Sequence, residues 1–313
     1  MKQWNTPFGH NRAWYICVMM QKAKNTIPVI DICSLNGTDH RREDIIAEPF
    51  ARYLEIHPNL YRAHRHTFYH MVLFTKGQGS HTVDFERFDV KPGQIYFMIP
   101  GQVHSWSFEG ETDGYIVNFS EAIFRHFLAD QDYLERFSFF AGDASDSVLQ
   151  LDEEVKTLVE TCFRNILREV KQGSMYSLDL IRASLLRIFN LVAVTVAGAL
   201  TDNQPQQSNR VVLDNFRKLV NRHFAQYKLP KDYAALLYIT PNHLNAVCQD
   251  FLGKPAGEII RDRILVEAKR LLVNADTTVS DIAYQLNFTD NSYFTKFFKK
   301  YAGMTPEEFK KGI

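Results

Sequence analysis

Cysteine is scarce in this chain of 313 residues, and the four that are present are widely separated. Cys17, Cys33, Cys162 and Cys248 form no Cys-x-x-Cys pair, which excludes the usual spacing of a zinc finger or a thioredoxin-type motif. Scattered cysteines are typical of a reducing compartment rather than of a disulfide-rich secreted domain. Residues 1–10 also lack the apolar segment of a secretory signal, so we expect a cytoplasmic protein.

Long hydrophobic runs are missing as well. The longest apolar stretch, residues 188–200, is about 13 residues long and contains Asn190 and Thr195, whereas a membrane-spanning helix needs roughly 20 apolar residues. With 45% apolar and 23% charged residues, the composition is that of a globular protein. We therefore predict no membrane partner, and the length favours two domains.

The chain has no excess of either charge, because 36 Lys and Arg balance 36 Asp and Glu. The balance differs between its parts: residues 211–313 hold 15 basic and 11 acidic residues, a net charge of +4, and the rest carries −4. The C-terminal part is thus the candidate for binding a polyanion, although a solvated helical surface would show a similar excess.

Two patterns of hydrophobic spacing divide the chain. Short β-prone runs alternate with turn residues between residues 45 and 119, which predicts a β-barrel or jelly roll. These runs are residues 51–56, 69–74, 80–85, 94–99 and 115–119, and a turn is predicted at residues 76–79. After Asp152, apolar residues recur every three or four positions, which predicts amphipathic helices over residues 155–170 and 177–199. The predicted fold class is α+β.

The predicted boundaries follow from these patterns. They are an N-terminal arm over residues 1–44, a barrel over 45–150, two helices over 151–200, a linker over 201–210 and a helical domain over 211–313. Residues 201–209 are polar, lack apolar periodicity and contain a proline, as linkers do. The second helix of the pair carries more apolar surface between Leu178 and Val192 than packing on a barrel requires, which suggests a homodimer.

The C-terminal domain is punctuated as seven short helices, and two of them carry clear start signals. Thr240 and Pro241 occupy the N-cap and first position of one, and Asp290 caps the other. Each follows a shorter helix with an alanine, Ala234 or Ala283, where two helices must cross closely. The apolar spacing over residues 255–273 predicts a linking helix about 28 Å long. This length is comparable with the roughly 34 Å between successive major grooves on one face of B-DNA.

A group of short motifs lies in and after the linking helix. They are Ala268-Lys-Arg-Leu-Leu272, Asp281-Ile-Ala283, Phe288, Ser292-Tyr-Phe294, Phe298-Lys-Lys300, Gly303 and Thr305-Pro306. With them, residues 211–313 resemble the AraC/XylS family of bacterial regulators. The resemblance implies two helix-turn-helix units that bind double-stranded promoter DNA, usually as a dimer. Carried over by position, the base-reading residues are Asn242, Asn245 and Ala246 in the first unit and Asp290, Asn291, Thr295 and Lys296 in the second. By their charge, Lys296, Lys299 and Lys300 are the candidates for phosphate contacts.

Side-chain chemistry supports part of this assignment. Asparagine can bond adenine bidentately and lysine can reach guanine or phosphate, whereas Ala246 offers at most contact with a thymine methyl. The chain departs from the family at Ile264, where arginine is common, and at Tyr238 and Asn287, where turns commonly have glycine. These departures bear on phosphate anchoring and on the geometry of the turns.

Histidine is concentrated in the predicted barrel. His64-Arg-His66, His70, Pro92-Gly93 and Pro100-Gly-Gln-Val-His104 resemble a cupin, the barrel that many regulators of this family use as a sensor. In metal-dependent cupins a glutamate stands where this chain has His70. We expect a ligand site formed by His64, His66, His70, Tyr96, His104 and Trp106, with no metal and no cofactor. The alternative is a metal bound by His64, His66, His70 and His104, because neutral imidazole suits zinc, nickel and iron.

The predicted function is a sequence-specific DNA-binding transcription regulator, not an enzyme. By the family resemblance it is an activator that responds to a small-molecule effector in the cupin-like domain and works with RNA polymerase. Two alternatives stay open: a metal-dependent cupin isomerase or dioxygenase with a helical appendage, and a protein that binds only a partner protein.

Overall fold

The computed structural model describes residues 27–36, 44–130, 132–198, 204–273 and 277–312. Most of the predicted N-terminal arm and residues 199–203 lie outside these ranges. Within them, an eight-stranded mixed sheet forms the N-terminal domain, and seven helices follow residue 204. The predicted α+β class is confirmed.

Two long strands organise the N-terminal domain. The strands are β1 (Val29–Ile30), β2 (Ile45–Pro49), β3 (His64–His66), β4 (Tyr69–Val83), β5 (Glu86–Val90), β6 (Gln94–Met98), β7 (Val103–Phe119) and β8 (Val148–Gln150). β4 and β7 pair antiparallel along most of their length. One half of this pair is flanked by β2 and by β6 with β8, and the other half by β3 and β5. Because the long strands change neighbours halfway, side chains from both halves enclose one interior.

Alternation along β4 separates this interior from an outer face. Val72 and Phe74 are buried in the interior, where Trp106 of β7 joins them. Met71 and Leu73 point the other way, into the cluster that the C-terminal helices of this domain cover. His70 therefore shares a face with Val72 and Phe74. His81 shares the interior face with Val83, because register shifts between Phe74 and Gln78 change the alternation.

Two local predictions were wrong. Residues 51–56 form a helix, Phe50–Ile56, because Phe50, Tyr53 and Leu54 bury one side of a helical turn instead of alternating across a sheet. Residues 76–79 do not form a turn but continue β4 through a bulge. There Gly77 and Gly79 adopt φ values of +121° and +136°, a region that glycine enters without steric cost.

In the described residues of the N-terminal domain there are four α-helices: α1 (Ile32–Asn36), α2 (Phe50–Ile56), α3 (Glu153–Gln172) and α4 (Ser177–Gly198). The last two match the predicted amphipathic pair. Asp152 caps α3 by accepting the N–H of Val155, and Gly173 ends it with a left-handed backbone. Leu185 and Phe189 of α4 are buried against the outer face of the sheet.

The C-terminal helices are α5 (Gln204–His223), α6 (Pro230–Leu236), α7 (Pro241–Leu252), α8 (Ala256–Leu272), α9 (Val279–Gln285), α10 (Asn291–Ala302) and α11 (Pro306–Lys311). Helix α5 begins at Gln204, so the described part of the segment predicted as a linker is helical. Helices α6 and α7 form one predicted unit, α9 and α10 the other, and α8 connects them. One core joins both units through Leu244, Ile264 and Phe294. In the part of the chain described, no helix is long and apolar enough to cross a membrane.

Candidate DNA interface and sensor site

The first helix-turn-helix unit presents only part of its predicted face to solvent. Its turn passes through Tyr238 with φ +56°, the left-handed backbone that glycine usually supplies. Thr240 caps α7 by accepting the N–H of His243, as predicted. Asn242 and Ala246 are exposed on this helix.

Asn245 has a structural contact that the sequence did not indicate. Its side chain is half-buried, and its Oδ1 accepts the backbone N–H of Ala256 at 3.0 Å. Ala256 begins α8, and the N-cap residue Pro255 has no side-chain acceptor of its own. Asn245 therefore satisfies one of the unpaired N–H groups at the start of the linking helix.

The second unit exposes its predicted residues more fully. Its turn is left-handed at Asn287, with φ +55°, and Asp290 caps α10 by accepting the N–H of Tyr293 at 2.7 Å. Helices α9 and α11 each begin with a capping box, formed by Thr278 with Asp281 and by Thr305 with Glu308. Asn291, Lys296, Lys299 and Lys300 are exposed, and Thr295 is half-buried.

A buried ion pair joins the linking helix to the barrel. Arg270 of α8 donates from Nε to Asp84 Oδ1 at 2.7 Å and from Nη2 to Asp84 Oδ2, and both side chains are at most 5% exposed. Burial alone would lower the pKa of Arg270, but the charge and hydrogen bonds of Asp84 raise it above the usual value. Asp84 also accepts from the Val103 N–H and from Gln102 Nε2. All acceptor positions of this carboxylate are thus engaged.

Further ion pairs cross the same boundary at helix α5. Arg217 pairs with Asp146, and Arg222 pairs with Asp132 and Glu135 at 2.8 and 2.7 Å. Part of the basic excess of residues 211–313 is therefore neutralised by acids of the N-terminal domain. Lys296, Lys299 and Lys300 of α10 are exposed and take part in none of these pairs, so they remain available to a polyanion.

A cleft of about 590 Å³ opens beside this interface. Charged side chains from both domains line it, among them Glu86, Arg217, Lys254, Asp262 and Lys269. The predicted ligand residues of the barrel lie outside this cleft. They are packed inside the barrel interior instead.

Five buried histidines meet in that interior, and we call them the histidine cluster: His64 and His66 on β3, His70 and His81 on β4, and His104 on β7. The imidazole centroids of His64, His66 and His104 lie 4.1 to 4.7 Å apart, and His70 lies 4.9 Å from His66. Tyr96 and Trp106 contact the cluster through His81, at 4.6 and 5.5 Å. The predicted ligand-binding residues are thus brought together.

Burial controls the charge of the histidine cluster. It lowers the pKa of His64 to about 4 and that of His70 to about 3, and it lowers those of His66, His81 and His104 well below the usual value. The Arg62 carbonyl and the Asn118 amide hydrogen-bond His64 and His70, but among the described residues no anion contacts these rings that would raise their pKa values. All five rings are therefore neutral at pH 7, the form in which imidazole accepts a hydrogen bond or a metal.

Four residues of these sites were missed from the sequence: His81 and Asn118 in the barrel, and Asp84 and Arg270 between the domains. His81 lies in a predicted strand two residues before Val83, so period-two alternation would have placed it on the interior face. Asn118 hydrogen-bonds His70, and the same period-two alternation along β7 would have placed its side chain on the interior face. Nothing local identifies Asp84 and Arg270 as partners, because 186 residues separate them.

Known proteins match both parts of the chain. Residues 233–312 match the model of a helix-turn-helix domain, and residues 51–184 match that of the AraC-like ligand binding domain. The chain belongs to the AraC family of transcription regulators. The family resemblance of the C-terminal domain and the cupin-like sensor domain are both confirmed, and the chain is a regulator rather than an enzyme.

Individual relatives of this AraC-family chain are distant. Over 68 residues it is 38% identical to the probable transcription factor PqrA of Proteus vulgaris, covering 22% of this chain and 56% of the relative. Over 257 residues it is 21% identical to the HTH-type transcriptional activator RhaR of Mannheimia succiniciproducens, covering 79% and 86% of the two chains. The crystal structure of ToxT from Vibrio cholerae O395 aligns with a TM-score of 0.41 at 15% identity, covering 86% and 96%.

Proposed function

We propose that this AraC-family chain binds specific promoter sites in double-stranded DNA through α7 and α10. The observation that carries the proposal is the pair of helix-turn-helix units mounted on α8. With 17 residues, α8 is about 26 Å long, about 8 Å shorter than the roughly 34 Å repeat of the major groove. Both recognition helices can then reach adjacent grooves of one duplex.

The two units have unequal roles in this proposal. On α10, Asp290, Asn291 and Thr295 lie toward the bases, and Lys296 and Lys299 neutralise phosphates. On α7, Asn242, Asn245 and Ala246 adjust specificity without adding charge. Asn245 does so only with its Nδ2 amide group, because its Oδ1 accepts the Ala256 N–H at the start of α8.

The barrel supplies regulation. A small-molecule effector acts among His64, His66, His70, Tyr96, His104 and Trp106, and the Asp84–Arg270 pair carries the change to α8. The effector would favour one arrangement of the domains by binding it more tightly than the other. The protein works in the cytoplasm as a homodimer and activates transcription by recruiting RNA polymerase.

Genome-wide mapping of bound sites, followed by footprinting with the purified full chain, tests this function. We expect one recurrent sequence with protected positions in two successive major grooves for each chain bound. Asn291→Ala should relax the preference at one base pair, by about 1–3 kcal/mol of discrimination. A wild-type chain that protects no discrete sequence at any effector condition would contradict the proposal.

A further inference from the structure

Lys228 joins the two helix-turn-helix units through a contact additional to the linking helix. It lies in the segment between α5 and α6, two residues before the first unit begins at Pro230. Its Nζ donates to the backbone carbonyl oxygens of Ala225 at 2.8 Å, Leu286 at 2.8 Å and Asn287 at 2.9 Å. A lysine ammonium has three protons, so these three carbonyls match its donors in number.

Two of the three acceptors form the turn of the second unit. Leu286 is the C-cap residue of α9, and Asn287 follows it in the left-handed conformation. The last carbonyls of a helix have no partner within the helix, and a lysine side chain can supply one. Lys228 therefore completes the hydrogen bonding of this turn from outside the second unit.

The same ammonium approaches a ring that packs on the second recognition helix. It lies 5.0 Å from the centre of the Phe288 ring, within the range of a cation–π contact. Phe288 packs against Phe294 and Phe297 of α10, with ring centres 5.2 Å apart in both pairs. Lys228 thus contacts both the turn and the ring that orient α10.

The segment that carries Lys228 is fixed to the first unit. Tyr233 of α6 is buried, and its hydroxyl donates to the backbone carbonyl of Tyr227, the residue before Lys228, at 2.9 Å. Tyr233 and Leu244 of α7 belong to one buried core. A continuous series of contacts therefore runs from the first unit through Lys228 to α10.

We propose that Lys228 is a positioning residue that sets the angle between α7 and α10, and with it the spacing of the two DNA segments that one chain contacts. The shared core also holds the units together, but apolar attraction is non-directional, whereas hydrogen bonds require a narrow range of distance and angle. The proposal rests on the proposed function, because it requires both helices to bind one duplex.

The geometry of DNA makes this spacing measurable. One base pair inserted between the two contacted segments moves the second by about 3.4 Å along the axis and about 35° around it. A pair of recognition helices held at a fixed angle cannot follow that rotation without losing contacts. A pair free to adjust can follow it.

Fluorescence anisotropy of the full chain with two duplexes tests the proposal. One duplex carries the site found by footprinting, and the other has one base pair inserted between its two protected segments. We expect the wild type to bind the first at least about 10-fold more tightly, an effect the size of one mismatched base pair. Lys228→Met keeps the aliphatic part of the side chain but removes its donors, so the preference should fall to about 3-fold or less.

Two further variants calibrate this result. Lys228→Arg returns donors to the same place in a rigid planar group, so it should recover part of the preference. Lys171→Met makes the matched change at an exposed lysine of α3 and should leave the preference unchanged.

Two other measurements separate positioning from other roles of Lys228. Amide hydrogen exchange at Asn287 and Phe288 should be faster in Lys228→Met, because their turn loses its bonds to the ammonium, while exchange in α7 should stay as in the wild type. The slope of log K against log salt should not change, because the ammonium bonds carbonyls rather than phosphates.

Each other outcome contradicts the proposal in a different way. A slope reduced by about 1, with the spacing preference retained, would make Lys228 a phosphate contact and overturn the positioning role. Faster exchange with the spacing preference retained would limit Lys228 to a structural role and overturn it too. A wild type that binds both duplexes equally overturns it even if the variants fail to fold. A wild type that protects no discrete sequence contradicts the proposed function, and the positioning role with it.

Discussion

At the scale of single residues, the Asp84–Arg270 pair is the contact on which the domain arrangement depends most. Its two charges are almost fully removed from water, so each depends on the other for stabilisation. Asp84 also has a left-handed backbone, with φ +48°, which aspartate and asparagine tolerate better than most residues. Asp84→Asn therefore changes the charge with little effect on the backbone.

We expect Asp84→Asn or Arg270→Met to lower the free energy of unfolding by about 3–5 kcal/mol, because either removes the main partner of a buried charge. In Asp84→Asn, Arg270 keeps only Glu267, at 3.5 Å. Urea denaturation measures this loss. The double variant should lose less than the sum of the single variants, as coupled residues do. Lys254→Met is the control, since Lys254 and Asp262 pair at 3.0 Å with half-exposed side chains, and we expect a change below about 1 kcal/mol.

Lys296 is the single residue whose removal should most directly reveal the electrostatic part of DNA binding. Lys296→Gln should weaken binding to specific and unrelated duplexes alike, and reduce the slope of log K against log salt by about 1, because one phosphate contact is lost. Fluorescence anisotropy over a salt series measures both. Lys171→Gln, an exposed lysine near the end of α3, should leave the slope unchanged. Equal slopes for Lys296→Gln and wild type would remove this residue from the interface.

At the scale of elements, the cap of α8 gives Asn245 a testable structural role. Asn245→Ala removes the acceptor for the Ala256 N–H, and we expect a loss of about 0.5–2 kcal/mol in unfolding free energy. Asn245→Asp retains an acceptor beside the positive end of the helix and should retain most of the stability. Thermal or urea unfolding measures the difference. Asn242→Ala, on the exposed side of α7, is the control, and a loss equal to that of Asn245→Ala would count against the cap.

The helical domain was predictable because its helix starts depend on residues close together in the chain, whereas contacts between distant residues were not predictable. The caps at Thr240, Thr278 and Asp290 each act within three residues of the chain, so a sequence contains all the information they need. The α2 segment was misassigned because a seven-residue helix shows too few apolar residues to separate a period of 3.6 from one of 2.

The candidate sites divide in the same way. The motif of α10 identified its exposed residues, and the cupin-like pattern identified four members of the histidine cluster. The contact of Asn245 with Ala256 and the acceptors of His64 and His70 depend on how elements pack, which one sequence does not specify. Asp84 with Arg270 is the extreme case, because two domains must meet before that pair exists.

At the scale of the whole molecule, charge is divided so that the domains attract each other while DNA is still attracted to one of them. The acids of the N-terminal domain pair with Arg217, Arg222 and Arg270, on the α5 and α8 side of the helical domain. The lysines of α10 take no part in these pairs. Docking of the domains therefore leaves the charge of the second recognition helix in place.

The proposed homodimer concerns the whole molecule, and helix α4 is the surface that would form it. Leu185, Phe189 and Val192 of this helix are buried against the sheet. The apolar side chains left for a dimer interface are therefore those on the opposite side of α4. On that side, the Leu180 side chain is 49% exposed and the Val194 side chain is 70% exposed. The two residues are 14 positions apart, which is about four helical turns, so they lie on the same face of the helix. Leu180→Glu with Val194→Glu should place charges in the interface and give a monomer by analytical ultracentrifugation at micromolar concentration. Met304→Glu, an exposed apolar residue after α10, should remain dimeric, and a wild type that sediments as a monomer with and without DNA would rule the dimer out.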